Sequence, residues 1–91
     1  MAGGTTARPE RETLARNLRR LRLRKGWSQE ELAARAGELR QAVISDIERG
    51  VANPTFDTLS FLARALGVRI YDLLKPARRP ARARLPERSQ S

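Results

Sequence analysis

The chain has 91 residues, enough for one domain, and its core must be small because a chain of this size buries only roughly 60% of its unfolded surface. Cysteine and histidine are both absent, which excludes disulfides, the usual zinc centres and catalysis through a thiolate or an imidazole. Lysine and arginine number 19 against 10 acids, a formal charge of +9; a polyanion such as nucleic acid is one expected partner, and plain solubilising charge is the alternative.

Residues 1–10, MAGGTTARPE, are small and polar and read as a disordered lead-in. They lack the apolar run of a secretory leader, and no uncharged stretch approaches the roughly 20 residues needed to span a bilayer. A soluble intracellular protein without a membrane partner is expected. The periodic apolar pattern occupies residues 11–74 and predicts an all-α domain of five helices.

The first helix is expected over about Arg11 to Lys25, with Leu14, Leu18 and Leu21 on one stripe and Gly26 ending it. Ser28 should cap the second helix, with Glu31 three residues later completing a capping box, and Leu32, Ala33 and Ala36 turn inward. Gly37 can take the left-handed conformation that closes this helix. The third is expected from near Arg40 to about Arg49, held by Ile44 and Ile47 and stopped by Gly50 and the Asn53-Pro54 pair. Thr55 can cap a fourth helix, Phe56 to Leu66, that ends at Gly67. A short fifth, Ile70 to Leu74, is stopped by Pro76. Residues 75–91, KPARRPARARLPERSQS, form a basic, proline-rich tail with little to bury.

Two helices joined by a tight glycine turn, the second exposing small and amide side chains, suit the major groove of a duplex. The outer side of the third helix carries Gln41, Ala42 and Ser45, with Val43 and Asp46 at its margins. A glutamine amide pairs bidentately with adenine, and a small alanine suits a thymine methyl.

The run LRRLRLRKGWSQEELAARAG, followed by VISDIERGVANPTFDTLSFLARALGV, resembles the lambda-repressor-like helix-turn-helix family, also called Xre or Cro-type, over about residues 14–74. The resemblance implies a sequence-specific, double-stranded-DNA-binding transcriptional regulator, cytoplasmic and close to the bacterial nucleoid, with no enzymatic activity, cofactor or metal. It places Gln41, Ala42, Val43, Ser45 and Asp46 at base-facing positions. It also puts Gln29 on a phosphate beside Ser28, at a helix N-terminus whose free amides favour an anion. Arg22 and Glu48 match a family ion pair between the first helix and the end of the third. Arg40, Arg49 and Asn53 are further candidates for phosphate contact.

One departure is Glu38, an extra residue after the turn glycine, which leaves Arg40 rather than serine or threonine at the capping position. Leu23, Phe61 and Tyr71 fit no core stripe. Family dimers commonly pack through the fourth and fifth helices, so Phe61 and Tyr71 are the expected dimer contacts. Such a homodimer would present two reading helices about 34 Å apart to a near-palindromic operator. Two other functions fit the same residues: a protein-protein adaptor built on this fold, and charge-driven binding of nucleic acid without sequence preference.

Overall fold

The computed structural model describes residues 2–37 and 39–76, with residues 2–9 by backbone alone. Five helices and no strand are found among the described residues: α1 (Ala2–Lys25), α2 (Gln29–Arg35), α3 (Gln41–Glu48), α4 (Phe56–Leu66) and α5 (Ile70–Leu74). The expectations for Glu38 and for the tail from residue 77 onward lie outside the described residues.

α1 begins at Ala2, within the segment that composition reads as a lead-in. Beyond that segment the stripe behaves as its spacing requires. Leu14 and Leu18 are buried and Leu21 packs half-buried against the same cluster.

Local signals set the ends of α2. The Ser28 hydroxyl accepts from the Glu31 backbone N–H at 3.0 Å, and the Glu31 carboxylate accepts from the Ser28 N–H at 2.9 Å, so two otherwise orphaned donors are satisfied reciprocally. Leu32, Ala33 and Ala36 are buried. Gly37 follows at φ +82°, a conformation that a side chain would strain, and the Leu39 N–H then returns to the Ala33 carbonyl at 3.0 Å. This closure turns α3 across α2.

α3 is one residue shorter at each end than the pattern suggested. Arg40 stands at the N-cap in an extended conformation and makes no side-chain capping bond. A missing cap costs about 1 kcal/mol, whereas burying Ile44 and Ile47, at 0% and 1% exposure, contributes roughly 3 to 6 kcal/mol together. Burial therefore decides that the helix forms and which side faces in.

α4 starts under a Thr55 cap, whose hydroxyl accepts from the Thr58 N–H at 3.1 Å, and it ends at the left-handed Gly67. Leu62, Ala63 and Leu66 enter the core, with Leu59 partly buried beside them. α5 contributes Leu73 fully and Ile70 in part. α1 packs against α3, α4 and α5, while α2 packs against α3 and α4, so one apolar cluster is shared by all five helices.

Lys75, the first residue of the basic stretch, makes contacts with α1 and α5. The Lys75 ammonium lies 3.4 Å from Asp72 and 5.9 Å from the Tyr71 ring centroid, and its backbone carbonyl accepts a bond from α1. Lys75 thus belongs to the folded unit.

Candidate nucleic-acid interface

With Ile44 and Ile47 fixed inward, helical phase places the remaining residues of α3. Gln41 and Ala42 are exposed, and Ser45 and Asp46 are partly exposed one turn later. Arg49, seven residues after Ala42, completes the same line at the end of the helix and donates to Asp46 at 3.2 Å in an exposed pair. Val43 stands at the margin of this side. It is half-buried and packs against the core cluster, because its position lies one residue from Ile44 and four from Ile47. The outward set is therefore Gln41, Ala42, Ser45 and Asp46.

A chain of polar contacts fixes this set relative to the other helices. The Arg22 guanidinium donates Nε–H to one Glu48 oxygen at 2.7 Å and Nη2–H to the other at 2.9 Å, a bidentate pair whose side chains are 11% and 6% exposed. Its third donor, Nη1, reaches the Trp27 carbonyl at 2.8 Å in the turn before α2. The hydrogen bond to Glu48 raises the Arg22 pKa, with the glutamate's charge adding to it and burial opposing it. Arg22 therefore remains a cation.

Gln29 extends the chain outward. Its Nε2 donates to Glu48 at 3.1 Å and its Oε1 accepts from Gln41 Nε2 at 3.4 Å. One buried pair thereby orients the side chain of Gln41, leaving that amide its own oxygen and one N–H for a further partner. The path from Gln29 to the third helix through Glu48 is not visible in spacing, because the two residues are 19 apart.

The flanking candidates are spread around this chain. Ser28 and Arg40 are exposed at the starts of α2 and α3, Asn53 is exposed in the loop before α4, and Arg49 lies at the end of α3. Ser28 spends its hydroxyl on the cap, while Arg40 has no capping bond. Trp27 packs half-buried against the core, with the Arg35 guanidinium 4.5 Å from its ring centroid and Lys25 Nζ at 5.8 Å on the indole. It is a structural aromatic at the turn.

Phe61 and Tyr71 are 41% and 63% exposed on α4 and α5, and Leu23 is exposed on α1. Val51, Phe56 and Leu74 are also exposed, which the stripe analysis did not single out. Phe56 is the first residue of α4 and the most exposed of these side chains.

Asn17 also escaped the sequence reading. It is 1% exposed, and its Nδ2 donates to the carbonyls of Leu73 and Lys75, each at 2.8 Å, at the end of α5. The signal was present in its spacing, three after Leu14 and four before Leu21, which puts an amide on the buried stripe.

No group of three or more histidine, cysteine, aspartate or glutamate side chains is placed to hold a metal among the described residues. Among them, too, no helix is long and apolar enough to cross a membrane.

Two short helices joined at a left-handed glycine, the second braced from behind with a polar outer side, make this a helix-turn-helix domain. Residues 18–73 match the helix-turn-helix family model. The HTH-type transcriptional regulator y4dJ of Sinorhizobium fredii is 47% identical over 66 residues, covering 72% of this chain and 84% of that protein. Among solved structures, the hypothetical transcription factor NHTF from Neisseria superposes with a TM-score of 0.70 at 45% identity, over 74% of this chain and 76% of that one. The restriction-modification controller protein C.AhdI from Aeromonas hydrophila gives a TM-score of 0.66 at 35% identity, over 69% and 94%. The chain belongs to the helix-turn-helix family of lambda-repressor-like transcriptional regulators, a DNA-binding and non-enzymatic class.

Proposed function

We propose that the chain is a homodimeric regulator that recognises a near-palindromic operator by laying α3 in the major groove of double-stranded DNA. The observation that carries this reading is the outward row Gln41, Ala42, Ser45 and Asp46, held from behind by the Arg22, Glu48 and Gln29 chain. Gln41 is the adenine reader, Ala42 leaves room for a thymine methyl, and Asp46 accepts from a cytosine amine while Arg49 screens its charge from the backbone. Gln29, Ser28, Arg40, Arg49 and Asn53 are the phosphate contacts that set the register. Phe61 and Tyr71 are the dimer contacts, and the cytoplasm, at the nucleoid, is the place of action.

Selection of bound duplexes from a random pool tests this directly. The expected product is a near-palindrome occupied by two chains, and Gln41→Ala should lose about 1 to 3 kcal/mol of discrimination at one base pair per half-site. A domain serving only as an adaptor would enrich no duplex, and a binder driven by charge alone would hold selected and random DNA equally at every salt concentration. Unchanged discrimination in Gln41→Ala would remove α3 as the reader.

A further inference from the structure

α1 turns a second face away from the core. Residues 12, 15, 16, 19, 20, 23 and 24 recur at steps of three and four and so share one side of the helix. That side walls an open groove of about 750 Å³ whose opposite wall is the end of α3 at residues 48–50. Arg16, Arg19, Arg20 and Arg24 line it from α1 and Arg49 from α3, with the half-exposed Leu23 between them. Its acids are Glu12 and Glu48, and Glu48 is already engaged by Arg22 and Gln29.

Like charges four residues apart destabilise a helix by a few tenths of a kcal/mol per pair, and Arg16, Arg20 and Arg24 make two such pairs. The stripe is a local disadvantage that an external anion would reverse. The anion must be extended, since the arginines from Arg16 to Arg24 span about 12 Å of helix axis, roughly the rise across four successive phosphates on one DNA strand. Arg49 belongs both to this groove and to the outward line of α3, so the two surfaces meet at that residue. An acidic polypeptide would match the charge but would not account for that continuity.

We propose that this groove seats the sugar-phosphate strand flanking the base pairs read by α3, with Arg16, Arg19, Arg24 and Arg49 on phosphates and Leu23 against deoxyribose carbons. The assignment rests on the DNA reading given above. It makes α1 a second contact element, adding affinity and a required length of flanking duplex while leaving base preference to α3.

The test uses the full chain carrying Arg16→Gln, Arg19→Gln and Arg24→Gln together. Arg20 is left in place because its Nη2 donates to Asn17 Oδ1 at 3.3 Å. Affinity for the selected duplex and for a random duplex is measured between 50 and 200 mM salt, on full-length DNA and on DNA trimmed of its flanks. Each lost phosphate contact lowers the logarithmic salt slope by about 0.9, so the affinity change across that range should shrink by about 40-fold in the triple variant. Trimming should weaken the wild type and leave the variant almost unaffected, with the ratio of selected to random binding preserved in both. Equal slopes for the two proteins, or a changed base preference in the variant, would overturn the proposal. So would polyglutamate binding that the variant loses while its DNA slope stays that of the wild type. Should the wild type prefer no duplex, the reading of α3 fails, while the slope difference on random DNA still reports on the groove.

Discussion

α1 carries two inward polar anchors five residues apart, and they are satisfied in opposite ways. Asn17 is neutral and spends both amide hydrogens on the Leu73 and Lys75 carbonyls, so that one side chain closes the otherwise open end of α5. Arg22 is charged and depends on the Glu48 carboxylate, a second charge that must itself leave water. The neutral anchor stays within α1 and the end of α5, its Oδ1 accepting from Arg20. The ionic one continues through Gln29 to Gln41 and so reaches the outward face of α3. The difference suggests a division of labour in which a carbonyl-binding amide holds the scaffold together and an ion pair aims the helix that meets the ligand.

The largest expected effect attacks the ionic anchor. Glu48→Ala leaves the Arg22 guanidinium nearly buried without its counter-charge and should destabilise the fold by about 3 to 5 kcal/mol in urea denaturation. Arg22→Met combined with Glu48→Leu removes both charges and should cost much less than the single substitution. If the double variant is instead as unstable as the two single losses summed, the pair is not coupled and the contrast with Asn17 has no ionic basis.

Asn17→Ala is expected to come second. Two carbonyls at the end of α5 lose their donor in a dry setting, a loss of about 1 to 3 kcal/mol. Because the hydrogen bonds of Asn17 among the described residues go to α5 and to Arg20 of α1, the ratio of selected to random duplex binding should not move. A shifted base preference in this variant would show that the two anchors are one system.

These anchors also show what the amino-acid order discloses. The Ser28 and Glu31 box, the Thr55 cap and the inward pair Ile44 and Ile47 were legible because each depends on residues within four positions of one another. The pairing of Arg22 with Glu48 spans 26 residues and came through family resemblance, not through spacing. Asn17 was missed because its partners are backbone carbonyls 56 and 58 residues away, and a carbonyl has no residue type to read. How far the marginal Val43 is covered depends on packing across the whole domain, which spacing on one short helix does not disclose.

The smallest effect, at the far end of the neutral anchor, is a dependence on pH. The Asp72 carboxylate accepts from the Arg69 backbone N–H at 2.9 Å and faces Lys75 Nζ at 3.4 Å, and the backbone hydrogen bond, with help from Lys75, holds its pKa below the ordinary carboxylate value. A carboxylate with a depressed folded-state pKa stabilises the fold above its unfolded value, near 3.9, and that stabilisation disappears as pH falls through the lower folded value. Asn17 has nothing to titrate, so acid sensitivity at this end of the molecule falls to Asp72. Melting temperatures of the wild type and Asp72→Asn should therefore differ at neutral pH, with the wild type higher, and converge below about pH 4. All other carboxylates are common to both proteins and cancel in the difference. A gap that stayed constant down to pH 2 would mean that Asp72 acts as a neutral cap, and the end of α5 would then rest on Asn17 and packing alone.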